Sequence, residues 1–111
     1  MKIGVRQRQG VTVLEPKGKI TIGSGDIALR DSVIEALDSG SRKILINLKD
    51  VSTIDSSGIG ELVAAYTTVT NRGGKLKLLH LPAKLNELLH VTQLITVFEV
   101  YKDEQEALKS F

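Results

Sequence analysis

The sequence has no cysteine and no tryptophan, two prolines, and two residues each of tyrosine and phenylalanine. Without cysteine there can be no disulfide, no thiolate nucleophile and no Cys-ligated zinc, a pattern compatible with a reducing cytosol. No group of His, Asp and Glu has metal-ligand spacing, so no metal is expected. The glycine pairs Gly23-Ser24-Gly25 and Gly73-Gly74 lack the spacing of nucleotide-binding loops and read as turns, so no cofactor is expected. Net charge is only +2, too little to suggest nucleic acid. No apolar run approaches membrane-spanning length, and Lys2 and Arg6 stand where a signal peptide would need an apolar stretch. A cytoplasmic protein without membrane insertion is expected, and nothing demands more than a monomer.

What is present is ordinary globular composition, 41% apolar and 25% charged over 111 residues. That length suits one domain spanning residues 1–111. Ile3 and Val5, then Val11, Val13, Ile20 and Ile22, are spaced for half-buried strands. Gln9-Gly10 suits a tight hairpin between them. Pro16 and Gly18 are expected to bend or end the second strand. Ser24 or Asp26 then caps a helix with Leu29, Val33, Ala36 and Leu37 on one face, which stops at Ser39-Gly40. Lys43 to Leu48 is a short apolar run, the pattern of a strand covered on both faces.

A second helix carries Ile59, Leu62, Val63, Tyr66 and Thr70 as its stripe and ends at Arg72-Gly73-Gly74. Leu76, Leu78 and Leu79 predict a strand, and Ala83 to Leu89 a short helix behind Pro82. Val97 to Tyr101 predicts a last strand, and Asp103 caps a terminal helix with Ala107, Leu108 and Phe111. The order β-β-α-β-α-β-α-β-α implies an α/β fold with a small mixed sheet. Charge is uneven. Lys2, Arg6, Arg8, Lys17 and Lys19 face only Glu15 within residues 1–19, while Glu99, Asp103, Glu104 and Glu106 gather near the other end. This reads either as two solvated faces or as a charged docking surface.

The most informative run is Ile54-Asp55-Ser56-Ser57-Gly58-Ile59-Gly60, where a strand gives way to a helix. On one reading Asp55 or Ser56 is simply the helix cap, and the glycines allow tight turning and close packing. On the other, Ser56 accepts a phosphate on an exposed turn. The helix N-terminus tolerates that added charge, while a partner docked there is repelled. A serine hydrolase needs a base and an oxyanion hole. The histidines are His80 and His90, at element ends, and the run is not Gly-x-Ser-x-Gly. No enzyme is expected and no catalytic residue is assigned.

These residues, together with Gly18-Lys19-Ile20, Ile44 to Leu48 followed by Val51, Gly73-Gly74-Lys75-Leu76 and Leu94-x-x-Val97-Phe98-x-x-Tyr101, resemble the STAS-domain anti-sigma factor antagonists of bacteria. The resemblance covers almost the whole chain; Asp55-Ser56-Ser57-Gly58-Ile59-Gly60 is its most specific part. It implies the STAS fold, with helices mainly on one face of the sheet. It also implies capture of an anti-sigma factor that is a serine kinase of the GHKL type, which carries the ATP. Phosphorylation of Ser56 ends the capture, and a phosphatase restores it. Carried over, Asp55, Ser56, Ser57 and Gly58 are the partner-binding turn. Many members have an acidic residue shortly after the glycine that ends the second strand. Here Thr21 holds that place and Asp26 lies further along, and both are expected to flank the partner contact.

Two other readings use the same residues. One is a STAS subunit of a membrane lipid-transport or transporter-regulating complex. The other is a small-ligand module binding a nucleotide, for which the sequence supplies no phosphate loop.

Overall fold

The computed structural model describes residues 1–111. Strands β1 (Lys2–Arg8) and β2 (Val11–Ile20) form the expected hairpin. Gln9 and Gly10 turn it with φ of 54° and 79°, the paired positive values that suit the twist of a two-residue hairpin. Then follow α1 (Gly25–Asp38), β3 (Lys43–Asn47), β4 (Val51–Ile54), α2 (Ser56–Asn71), β5 (Lys75–Leu79), α3 (Ala83–Val91), β6 (Val100–Tyr101) and α4 (Glu104–Lys109). The sheet runs β1-β2-β3-β5-β6, with β4 also paired to β2. Only β1 is antiparallel to its neighbour, so the sheet is mixed as expected.

Strand β2 departs from expectation in an instructive way. It is not ended by Pro16 or Gly18 but has two successive parallel partners. Thr12–Leu14 pair with β3 and Gly18–Ile20 pair with β4, with a register shift at Gly18/Lys19. Pro16 falls between the two ladders, where its missing N–H removes no bond to either strand. The segment after Leu48 is therefore a strand of its own, added to the expected order. Ile22 is not an inward strand residue: β2 stops at Ile20 and Ile22 is exposed in the following loop.

Near the other end, a 3-10 turn at Leu94–Thr96 shortens the expected last strand to Val100–Tyr101. The main core lies between the sheet and α1, α2 and α3. It joins Leu29, Val33 and Leu37 with Leu62, Ala65 and Val69, and with Leu85 and Leu89, over Leu14, Ile44, Ile46, Leu76 and Leu78. Helix α4 covers the opposite face, setting Ala107 and Leu108 against Val11, Val13, Leu45 and Leu79. Buried on both faces, β3 matches its uninterrupted apolar sequence.

Strand β2 ends between the first turns of two helices. A Cβ on Gly25 would lie 2.0 Å from the Lys19 carbonyl oxygen. One on Gly58 would lie 2.2 Å from the Ile20 carbonyl oxygen and 2.6 Å from Ile54 Cγ1. Both helices thus approach β2 closer than any side chain permits, which fixes where α2 begins. Gly60 is exposed and meets nothing within 4 Å. Gly58→Ala is expected to cost about 3 kcal/mol through backbone overpacking. Gly60→Ala is expected to gain about 1 kcal/mol through helix propensity. Urea unfolding of the two variants checks both the sizes and the opposite signs.

Candidate functional site

Asp55 is the residue before α2. Its backbone is extended (φ −108°, ψ −174°), and its carboxylate Oδ1 accepts the Gly58 N–H at 2.9 Å. Of the two capping residues considered from the sequence, Asp55 is therefore the cap. Its other oxygen is used as well. Oδ2 accepts the N–H of Ile22, in the loop after β2, at 3.0 Å. The Asp55 N–H reaches the Ile20 carbonyl at 3.4 Å, and its carbonyl accepts from Ile59 at 3.0 Å. One residue thus ties the start of α2 to the end of β2 through side chain and backbone. The amides of Gly58 and Ile22, with a smaller contribution from Ser57, hold the Asp55 carboxyl below its ordinary range, because hydrogen bonds to the charged form favour it.

Ser56 is the first residue of α2 and is exposed, while Ser57 behind it is half-buried. Gly58 is buried. Its missing side chain serves contact within the chain, while open surface is provided by Gly60. Thr21 is half-buried, and its carbonyl accepts the Asp26 N–H at 3.2 Å. Asp26 is not the cap of α1 but lies in its first turn, only 9% exposed, with Oδ1 on the adjacent Ile27 N–H at 2.8 Å. The cap position of α1 belongs to Ser24, whose side chain makes no capping bond. The structure therefore gathers Asp55 to Gly58 beside the loop at residues 21–24, with Asp26 mostly covered.

Two features of this surface lay outside the sequence reading. Ile22 is 74% exposed and Ile27 43% exposed, which leaves apolar surface on the segment joined to Asp55. Arg30 of α1 donates two hydrogen bonds to Glu61 of α2, at 3.1 and 3.0 Å, bracing the two helices. The Arg30–Glu61 pair and the Ile22–Asp55 bond each join residues some thirty positions apart, and no local pattern signals either.

His80 lines a cavity of about 440 Å³ with Lys49, Leu81, Pro82, Asn86, Val100 and Lys102. A larger groove of about 770 Å³ lies between the hairpin and α1. Neither includes Asp55, Ser56 or Ser57. The Ser56 turn thus lies outside both, and His80 borders other residues. The other histidine, His90, sets Nδ1 2.7 Å from the Asn86 carbonyl.

Asp55→Ala is predicted to speed amide hydrogen exchange at both Gly58 and Ile22. The depressed carboxyl also fixes the sign with pH. Its contribution to stability is full above the unfolded-state value, about pH 4, and is lost as pH falls through the lower folded-state value. Urea melts of the wild type and Asp55→Ala should differ at pH 7 and converge in stronger acid.

The model of the STAS domain matches residues 2–107. The anti-sigma-B factor antagonist of Bacillus subtilis (strain 168) is 30% identical over 100 residues, covering 90% of each chain. The crystal structure of a Thermotoga maritima protein described as an anti-sigma factor antagonist superposes with a TM-score of 0.88. It is 25% identical, covering 97% of this chain and 92% of that one. The Bacillus cell fate determinant SpoIIAA, solved in its phosphorylated form, shares the fold with a TM-score of 0.75 at 18% identity, covering 98% of each chain. With a hairpin-led mixed sheet, three helices on one face and a serine turn opening the second helix, the chain belongs to the STAS domain family, among its anti-sigma factor antagonists.

Proposed function

We propose that this protein is a partner-switching antagonist that captures an anti-sigma factor when Ser56 is unmodified and releases it when Ser56 is phosphorylated. The captured protein is a serine kinase of the GHKL type, which brings the ATP; a separate phosphatase resets the switch. The protein itself is not an enzyme and works in the cytoplasm as a single STAS domain and a monomer. Partner contact centres on Asp55, Ser56, Ser57 and Gly58, flanked by Thr21 and by the exposed edge of Asp26.

The observation that carries this reading is the exposed Ser56 hydroxyl at the first position of α2, next to an Asp55 carboxylate already fixed and ionised. A phosphate there adds about −1.5 to −2 charges. Together with Asp55, the turn then carries close to −3, enough to repel a partner that had accepted Asp55 alone. The fold bears the change at small cost, because the positive end of the helix dipole and the first-turn N–H groups face the new charge. A protein of the same fold known in a phosphorylated form is in keeping with this use of the turn.

The test is titration calorimetry of two variants against a purified GHKL-type anti-sigma kinase from the same genome. Ser56→Ala should bind as the unphosphorylated protein does. Ser56→Asp should bind at least about tenfold more weakly, a loss of ~1.4 kcal/mol. Equal affinities would remove the switch.

A further inference from the structure

We propose that β1 is a docking edge that accepts an added strand from an acidic partner segment of alternating acidic and apolar residues. Strand β1 pairs only with β2 and is the terminal strand of the sheet. The two-residue turn makes Arg8↔Val11 the closing hydrogen-bonded pair. Bonded and non-bonded pairs then alternate along the ladder. In the register observed, Lys2, Gly4, Arg6 and Arg8 spend their backbone groups on β2. Ile3, Val5 and Gln7 therefore direct N–H and C=O outward, where an incoming strand would pair.

The two faces of that edge differ in chemistry. Ile3, Val5 and Gln7 also line the 770 Å³ groove between the hairpin and α1, whose apolar lining is Ile3, Val5, Leu14 and Ala36 and whose other residues are polar, charged or glycine, Glu35 and Arg42 among them. Val5 is left 60% exposed there. Alternate side chains of an added strand would enter this groove. On the other face stand Lys2, Arg6 and Arg8. Arg6 is already held by Glu15 at 2.9 Å and by Glu104 at 2.5 Å. Lys2, Arg8 and Lys17 have no acid within 4 Å, and Lys2 lies directly opposite Lys17. Like charges facing each other across a ladder are unfavourable, and acidic residues on an added strand would relieve them.

Charge also selects among occupants. A second copy pairing β1 with β1 about Val5 would set Lys2 against Arg8 twice, so self-association through this edge is disfavoured. The mode is strand addition, with backbone bonds supplying affinity and the alternate side chains supplying choice.

The probe is a soluble fluorescein-labelled nine-residue peptide alternating glutamate and valine, with a lysine–valine peptide as comparison. The acidic peptide should bind, and the amides of Ile3, Val5 and Gln7 should gain exchange protection. Val5→Pro deletes one outward donor and leaves the β2 ladder intact; it should abolish binding without lowering the urea midpoint by more than the fold can bear. The surface double variant K2E/R8E, which leaves the backbone untouched, should weaken binding at least about tenfold and favour the lysine peptide. Absence of binding at millimolar peptide would overturn the proposal, leaving the cations as guards of an edge. So would equal binding of both peptides, binding indifferent to both variants, or sedimentation of the free protein as a β1-joined dimer.

Discussion

The Asp55 carboxylate is bonded on both of its oxygens, to the first turn of α2 through Gly58 and to the loop after β2 through Ile22. Much of the surface geometry follows from that bridge. It sets the first residue of α2, and hence which hydroxyl stands outside. It also couples the serine turn to a loop carrying exposed apolar surface at Ile22. The bridge in turn depends on β2 reaching far enough to meet it. That requires Pro16 to fall between two ladders, and Gly25 and Gly58 to let both helices close on Lys19 and Ile20. A position set by backbone packing moves less than one set by a flexible side chain, which suits the contact role proposed for this turn.

Elsewhere, ionic contacts serve as braces. The Arg30–Glu61 pair joins the two helices that open at the site, with Arg30 largely exposed and Glu61 nearly buried. On the sheet's other face Glu15 collects Arg6 and Asn47, and Arg6 extends the link to Glu104 of α4. Burial acts to raise the Glu15 carboxyl, but hydrogen bonds from Arg6 and Asn47 outweigh it and hold the group below its ordinary range. Lys77 is buried in β5, yet its Nζ reaches the Ser110 carbonyl at 2.8 Å and Oγ at 2.9 Å, beside Glu99 and the rings of Tyr101 and Phe111. The last residues thereby close over a cation that would be costly to bury alone.

Local chemistry explains what was legible in the sequence. Gln9-Gly10, the Asp55 cap, the stop at Gly40 and the apolar run of β3 each announce themselves within a few residues. What was hidden is non-local. Asp50 to Ile54 reads as strand-like, but that it stands as a strand of its own rests on the second half of β2 offering it a partner. The buried side of α2 is Gly58, Glu61, Leu62, Ala65 and Val69, while Thr70 is exposed. A carboxylate on that face contradicts simple periodicity until Arg30 arrives from α1. Likewise the motif pointed to Ser56, but the role of Ile22 as second partner of Asp55 needed the fold.

The measurement closest to the central claim is site-resolved phosphopeptide mass spectrometry of the purified protein after incubation with host lysate and ATP, with Ser56→Ala treated in parallel. A single phosphate on Ser56, missing from the variant, is expected. A lysate that phosphorylates another antagonist of this family but leaves this turn unmodified would contradict it.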